Sequence, residues 1–235
     1  MVNKTKNGFT LAEVLITLVI IGVVAGLTIP SAINKYQRNS MAKRLKANYS
    51  ILQQAINNSQ ANLENPNWVK EFDNAPIGTV NTNELIKKHI TSGLRITKDY
   101  GLTWPVYISG QPIYHDFNGN QISPTSSSGS IFNVVSLANG TFLYMSFANN
   151  SNSDGTYALP TICVDVNGWK KPNVLGKDLF CFILGTNRRL YLPGYNKPRN
   201  TILTTCSHSA SMYAVTCQSL VQHDNWEIKD DYPWW

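Results

Sequence analysis

The chain has 235 residues, of which 43% are hydrophobic and only 14% are charged. This length and apolar content exclude a disordered tail and allow one folded domain with an additional segment. Two basic residues, Lys4 and Lys6, precede the first apolar stretch; the remaining 18 basic residues against 14 acidic ones give no reason to expect nucleic acid as a partner.

The first segment of the chain combines a short basic prefix with a long apolar run. No charged residue occurs over the 21 positions 14–34, which is long enough to cross a bilayer. An ordinary signal peptide carries its cleavage site after the apolar run, whereas the small residue Gly8 comes before it. Cleavage at Gly8 would therefore keep the membrane helix.

The residues around Gly8 carry a specific motif. The letters K-N-G-F-T-L-A-E-V-L-I-T-L-V-I-I-G contain a Gly–Phe junction, an acid four positions after Phe9, and an apolar helix around that acid. Over residues 6 to about 30 the chain resembles type IV prepilins and type II secretion pseudopilins. The resemblance implies cleavage between Gly8 and Phe9 by a prepilin peptidase and N-methylation of Phe9. It also implies that Gly22 loosens the helix and Pro30 kinks it during assembly.

Glu13 needs a physical account, because a carboxylate in a spanning helix is costly. After cleavage, Glu13 lies in the first turns of the helix, where the dipole favours negative charge, and the new amine of Phe9 can neutralise it. That amine can belong to the same chain or to a neighbouring subunit, and the resemblance implies the neighbour. Alternatively, Glu13 reaches the lipid headgroups near the interface.

The helix is predicted to continue beyond the membrane. Leu45, Tyr49, Leu52 and Ile56 recur at helical spacing, so residues 35–63 form an amphipathic continuation. A proline cannot donate a backbone hydrogen bond, and a bend or an unwound stretch is expected between Gly22 and Pro30.

The basic residues favour a different orientation from the motif. Five of them follow the apolar run, and the positive-inside rule alone would leave the large domain in the cytoplasm. We give more weight to the motif, which must face a cytoplasmic peptidase, and to the cysteines, which suit an oxidising compartment. The basic residues can solvate an exposed helix face or contact membrane lipid; they are Lys35, Arg38, Lys43, Arg44 and Lys46.

Residues 64–235 are predicted to form a β-rich globular head. Asn139-Gly140 between two apolar stretches predicts a hairpin whose turn needs positive φ angles. Further strands are expected over residues 161–166, 179–184 and 189–192, with short helices over 84–90 and around Tyr213, Cys217 and Leu220. The predicted fold class is α+β and type IV pilin-like: a long N-terminal helix, spanning the membrane in its first half, packed on an antiparallel sheet.

The four cysteines are Cys163, Cys181, Cys206 and Cys217. They contain no C-x-x-C pair, which argues against a zinc site. In an exported head they are expected to form two disulfides, and of the three possible connectivities the local one, Cys163–Cys181 with Cys206–Cys217, is favoured. Buried free thiols are the alternative.

Two loops share a D-x-N-G pattern, at Asp116 and at Asp165. Oxygen-rich loops can hold calcium, and Asp165, Asn167 and Asp178 are the candidate ligands. The spacing departs from an EF-hand loop, and Asx turns before a glycine give the same letters without a metal. No cofactor is required by the sequence.

Catalysis has little support in the sequence. The four histidines are isolated, and the adjacent Ser207, His208 and Ser209 do not make a catalytic geometry by adjacency. Five tryptophans could bind a glycan or belong to a half-buried sheet; they are Trp104, Trp169, Trp226, Trp234 and Trp235.

The combined expectation is a non-enzymatic filament subunit. The expected organisation is a leader (1–8), a membrane and filament-core helix (9–34), its amphipathic continuation (35–63) and a head (64–235). The resemblance implies self or sister pilins, the prepilin peptidase, an inner-membrane platform and an assembly ATPase as partners, and a path from the bacterial inner membrane to a periplasmic or surface filament. The alternative is a signal-anchored surface protein that binds a glycan or DNA and does not polymerise.

Overall fold

The computed structural model describes residues 8–62, 80–103, 108–116, 118–122, 132–146, 159–185, 187–206 and 216–233. Within these ranges, the α-helices are α1 (Leu11–Asn62), α2 (Val80–His89), α3 (Arg199–Thr205) and α4 (Ser219–His223). The strands are β1 (Ile96–Thr103), β2 (Tyr114–His115), β3 (Gln121–Ile122), β4 (Phe132–Leu137), β5 (Phe142–Ser146), β6 (Leu159–Asp165), β7 (Leu179–Leu184) and β8 (Leu190–Tyr191).

The chain divides into two compact units, one ending at Asn39 and one from Ser40 to Trp235. In the first unit, every residue from 8 to 37 except Ala25 is exposed. Helix α1 is continuous from Leu11 through Pro30, so of the two predicted alternatives, a bend or an unwound stretch between Gly22 and Pro30, the unwound stretch is absent. Pro30 withholds a single hydrogen bond, from the carbonyl of Gly26, and a 52-residue helix tolerates that loss.

The second unit is built on the later turns of α1. Leu45, Leu52 and Ile56 are fully buried and Tyr49 is half-buried, which confirms the stripe predicted from the sequence. Tyr49 packs against Phe182 of β7 with ring centroids 5.9 Å apart, and Asn139 Nδ2 donates to Asn48 Oδ1 at 3.0 Å. This part of the helix is therefore a wall of the hydrophobic core.

The other wall is a six-stranded antiparallel sheet in the order β1-β4-β5-β6-β7-β8. Its central strands contribute fully buried side chains such as Val134, Leu143, Ile162 and Phe180. Strands β2 and β3 form a separate two-stranded sheet. A long helix on an antiparallel sheet with short helices is the α+β, type IV pilin-like arrangement that the sequence predicts.

The turn between β4 and β5 differs in detail from the prediction. Gly140 has φ +83°, but Asn139 is not among the residues with positive φ. Gly140 N–H donates to Leu137 O at 2.9 Å, and Leu137 N–H donates to Thr141 O at 2.8 Å. The loop is thus a turn closed by a left-handed glycine, because a single positive φ at Gly140 is enough to reverse the chain here.

The other predicted elements lie close to their observed positions. Strand β7 has the predicted bounds, β6 starts two residues and ends one residue earlier than predicted, and β8 is shorter by one residue at each end. Helix α2 begins four residues before the predicted start and ends one residue earlier than predicted. Cys217 lies in a 3₁₀ turn (Thr216–Gln218) that leads into α4, and Tyr213 lies outside the described residues. Strands β1, β2 and β3 and helix α3 are absent from the predicted elements.

A glycine substitution tests the contact between the β4–β5 and β6–β7 turns. Gly168 has φ +62°, and a Cβ placed on it would overlap the carbonyl oxygen of Gly140. Gly168→Ala is expected to cost about 3 kcal/mol or more of unfolding free energy, because left-handed strain alone costs about 1–2 kcal/mol. Gly119→Ala is the matched control, since Gly119 has φ +79° but open space around its Cβ position. Equal losses of unfolding free energy for the two variants, measured by denaturant unfolding, would contradict the close contact between Gly168 and Gly140.

Candidate functional site

Helix α1 begins with a reciprocal hydrogen-bonded cap. The Thr10 hydroxyl and the Thr10 N–H both donate to Glu13 Oε2, at 2.7 Å and 2.8 Å, and Glu13 N–H donates to Thr10 Oγ1 at 3.2 Å. This is a capping box, in which the side chains at the cap and three residues later satisfy each other's backbone donors. Glu13 is therefore held beside Thr10, the residue that follows Phe9.

The turns after this cap are apolar, and their side chains are exposed within the described part of the chain. Phe9 is 90% exposed, and Leu18, Ile21 and Leu27 are each at least 60% exposed. Helix α1 is the one helix of the described chain with the length and apolar composition needed to cross a bilayer. The structure places Gly22 and Pro30 within this exposed helix, and no side chain lies within 4 Å of a Cβ built on Gly22.

The second D-x-N-G loop is built around the carboxylate of Asp165. Asp165 Oδ1 accepts the N–H groups of Asn167 and Gly168, at 3.2 Å and 2.9 Å. Its Oδ2 accepts the Tyr114 hydroxyl at 2.6 Å and Trp169 N–H at 3.0 Å. A carboxylate has about four lone-pair sites, and these four donors occupy them in this structure, so a metal ion would have to displace a donor.

The polar groups around Asp165 continue as a buried network. The Tyr114 and Tyr144 hydroxyls lie 3.0 Å apart, and Trp169 Nε1 donates to Tyr144 at 2.8 Å. Burial raises the pKa of both tyrosines and of Asp165. The aromatic rings supply hydroxyl and N–H groups that let a carboxylate remain fully buried.

Asp178 closes the same loop from its other end. Its Oδ2 accepts Asn173 N–H at 2.7 Å and Asn167 Nδ2 at 3.1 Å, and its Oδ1 accepts Val174 N–H at 2.7 Å. Burial, with the nearby charge of Asp165, raises the pKa of Asp178 to about 6. The loop between the two aspartates is thus shaped by backbone donors that converge on two carboxylates.

These bonds bear on the predicted calcium site. Among the described residues, no group of three or more His, Cys, Asp or Glu side chains is placed to hold a metal. The side-chain oxygens of Asn167 and Asn173 are buried without a partner in that part of the chain. Calcium takes six to eight oxygen ligands, for which these two oxygens and the Asp178 carboxylate are side-chain candidates. The site at Asp165, Asn167 and Asp178 stays a prediction, and calorimetric titration with calcium tests it.

The first D-x-N-G loop has a similar set of hydrogen bonds, but it lies at the surface. Asp116 accepts the N–H groups of Asn118 and Asn120, at 2.9 Å and 2.8 Å, and Asn120 Nδ2 at 2.9 Å. These bonds hold the pKa of Asp116 below its ordinary value, although burial opposes them. This loop is an exposed Asx turn between β2 and β3.

The structure contains two disulfides, Cys163–Cys181 and Cys206–Cys217, which are the pairs favoured by the local spacing. Cys163 and Cys181 face each other on β6 and β7, with Cα atoms 3.9 Å apart. Cys206 follows α3 and Cys217 precedes α4, so this bond joins the two C-terminal helices. The four cysteines thus stabilise the head rather than hold a metal.

Residues that the sequence does not single out reinforce that C-terminal junction. Arg199 donates two hydrogen bonds to Asp224, both at 2.7 Å, and two to Asp231, at 2.8 Å and 2.9 Å. Lys229 Nζ also donates to Asp224 at 2.8 Å. Arg199 lies 25 and 32 residues from its two acidic partners. Sequence spacing does not predict which charged residues pair over such separations.

Of the remaining polar and aromatic candidates, Trp169, Trp226 and His89 lie within the described residues. Trp169 stacks on Phe142 with centroids 4.2 Å apart, and Trp226 packs on Tyr49 at 4.5 Å, so both act as half-buried packing groups. Trp104, Trp234, Trp235 and the Ser207, His208 and Ser209 triplet lie outside the described residues. His89 is fully buried, with Nδ1 3.3 Å from Ser59 Oγ.

Titration of Asp178 gives a test of the loop. Between its ordinary pKa of 3.8 and about 6, the folded chain holds a proton that the unfolded chain has lost. This group therefore lowers stability as pH rises through that window, by at most about 3 kcal/mol, because one pKa unit corresponds to about 1.4 kcal/mol. We expect Asp178→Asn to flatten this dependence in unfolding midpoints measured from pH 4.5 to 7.5.

Asp116→Asn is the control for this experiment, because Asp116 makes similar bonds in solvent and its pKa is lowered. It should keep the pH dependence of the parent chain. An unchanged slope in Asp178→Asn would show that Asp178 does not titrate as this environment requires.

Two family models match the chain. A prokaryotic N-terminal methylation motif matches residues 3–29, which is the prepilin-type cleavage and methylation signature. With the apolar helix and the two disulfides, this signature identifies a precursor similar to type IV pilins and pseudopilins. Comparison with curated proteins and with solved structures gives no match. A family of unknown function (DUF6613) matches residues 31–235, which is most of the chain, and the protein belongs to that family.

Proposed function

We propose that the protein is a structural subunit, a minor pilin or pseudopilin, of a type IV pilus or a type II secretion filament. The observation that carries this proposal is the exposed apolar first half of α1, which lies almost entirely within the matched methylation motif. The proposed processing removes residues 1–8 and leaves a helix (9–34), its continuation (35–63) and a head (64–235). No bond chemistry is assigned to the head.

The physical basis of assembly is the exchange of one apolar surrounding for another. In the precursor, lipid covers the side chains of residues 9–34, because contact of these apolar side chains with water is unfavourable. In a filament, the same side chains would pack against the helices of other subunits. A repeated contact that does not close on itself produces a helical fibre rather than a ring.

Glu13 has a proposed role in the register of that packing. Its carboxylate already accepts hydrogen bonds from Thr10. Thr10 directly follows Phe9, whose amine cleavage would create, so the carboxylate is held near that new amine. Pairing this carboxylate with the amine of a neighbouring subunit would select one axial offset between helices. Gly22 and Pro30 are proposed to soften and kink the helix, so that subunits can pack inside the filament.

The proposed route starts in the bacterial inner membrane with the N-terminus in the cytoplasm and the head outside. The two disulfides support an oxidising compartment for the head. The partners proposed are copies of the chain or sister pilins, the prepilin peptidase, an inner-membrane platform and an assembly ATPase that supplies the mechanical work.

Processing can be tested at Gly8. The native chain is expected to begin at N-methylated Phe9, and Gly8→Val is expected to keep the N-terminal prefix, because a branched side chain replaces the glycine at the cleaved bond. Mass analysis of the N-terminal peptide measures both. Gly26→Ala is the control and should be processed normally, since open space surrounds its Cβ position. A native product starting at Met1, or beyond the apolar helix, would overturn the proposal.

Assembly can be tested at Glu13. Glu13→Gln keeps a residue type that completes a capping box and removes only the charge, so α1 should still start at Leu11. We expect normal cleavage but at least a tenfold loss of the protein from sheared surface filaments, measured by immunoblot. Thr17→Val is the control, because the Thr17 hydroxyl donates only to Val14 O one turn back. Equal filament yield from both variants would reject the charge pairing.

A further inference from the structure

A polar groove lies on the head between α1 and the turn that joins β7 to β8. Its volume is about 420 Å³, within the range of small-ligand sites. Residues from one face of α1 and three consecutive residues of the turn line it: Tyr49, Gln53, Asn57, Asn187, Arg188 and Arg189.

The two walls of the groove are tied together by one side chain. Gln53 Nε2 donates to Arg188 O at 2.9 Å and to Asn57 Oδ1 at 3.0 Å, while Gln53 Oε1 accepts Leu190 N–H at 3.0 Å. Every polar atom of this amide is therefore engaged. The turn cannot move away from the helix without breaking these bonds, so the groove is formed before any ligand arrives.

The groove is electropositive. Two of its lining residues are arginines and none is a carboxylate. The Arg189 guanidinium makes no ion pair or hydrogen bond within the described part of the chain, and Arg189 is exposed. Arg188 has φ +66°, an unusual conformation for a non-glycine residue that is often found at functional turns.

The other lining groups suit hydroxyls and a ring. Tyr49 is half-buried and its ring is held by Trp226, so it offers a rigid phenol. Asn57 is exposed, and its Nδ2 has no hydrogen-bond acceptor within the described residues. Asn187 donates to the Tyr191 hydroxyl at 2.6 Å and lies beside Arg189, whose N–H it accepts at 3.1 Å.

We propose that this groove binds an acidic saccharide, with a uronate carboxylate on Arg189 and sugar hydroxyls on Asn57 and Tyr49. An arginine fork matches a carboxylate in two parallel hydrogen bonds. The volume accommodates one or two sugar rings. Single-stranded nucleic acid fits less well, because its binding sites need a longer positive track than two arginines provide. The proposal does not depend on whether the chain polymerises.

Calorimetric titration of the full-length chain in neutral detergent tests the site. Digalacturonate is the probe, its dimethyl ester is the uncharged comparison, and the buffer contains 150 mM salt so that distant charges are screened. We expect saturable binding of one digalacturonate per chain and at least tenfold weaker binding of the ester, because a hydrogen bond to a charged group is worth about that factor or more.

Arg189→Gln should weaken digalacturonate binding at least tenfold. Arg95→Gln is the matched control, since Arg95 is an exposed arginine elsewhere on the head, and it should bind like the parent chain. Circular dichroism checks that both variants keep the fold. The proposal is wrong if digalacturonate does not bind, if the two variants bind equally, or if a short single-stranded DNA binds more tightly than the saccharide.

Discussion

The apolar side chains of residues 9–33 have no partner within the described chain, and this constraint governs the behaviour of the molecule. Burying such side chains is favourable by about 25 cal/mol per Å² of apolar surface, so an exposed helix of this length is not tolerated in water. The chain must place it in lipid or against other helices. In the proposed function, cleavage of the polar prefix before the helix would let the same segment serve in both surroundings.

The same helix uses a different pattern in its later turns. Between Ser40 and Ser59 most of the large apolar residues form one buried stripe, which packs on the sheet, while Lys43, Lys46 and Ser50 lie in solvent and Ile51 is 38% exposed. The head therefore does not rely on the exposed turns for its stability. It is held by its own core, by two disulfides and by the four hydrogen bonds of Arg199, so a change of surroundings for the apolar turns leaves the head with its own stabilising contacts.

Structural elements that depend on residues close in the sequence could be predicted, and contacts between residues distant in the sequence could not. The stripe of Leu45, Leu52 and Ile56 follows from helical periodicity, and the strand Leu179–Leu184 follows from a short continuous apolar run. The hydrogen bonds from Tyr114 to Asp165 and from Gln53 to Arg188 join residues 51 and 135 positions apart. The sequence around a polar residue does not indicate a partner so far along the chain. Asp165 and Asp178 could be proposed as calcium ligands because they lie in or near the local D-x-N-G pattern. The donor Tyr114 could not be predicted, because it lies far from Asp165 in the sequence.

The two D-x-N-G loops show how burial changes the chemistry of one pattern. Asp116 and Asp165 both accept backbone N–H groups two residues ahead, as an Asx turn requires. In solvent these bonds lower the pKa of Asp116, whereas burial raises the pKa of Asp165 despite more donors. The difference arises because Tyr114, from the two-stranded sheet, and Tyr144, from the six-stranded sheet, are buried beside the second loop. A buried carboxylate with four donors shapes a turn rigidly, and that turn sets the position of Trp169 against Phe142 at the end of the hairpin.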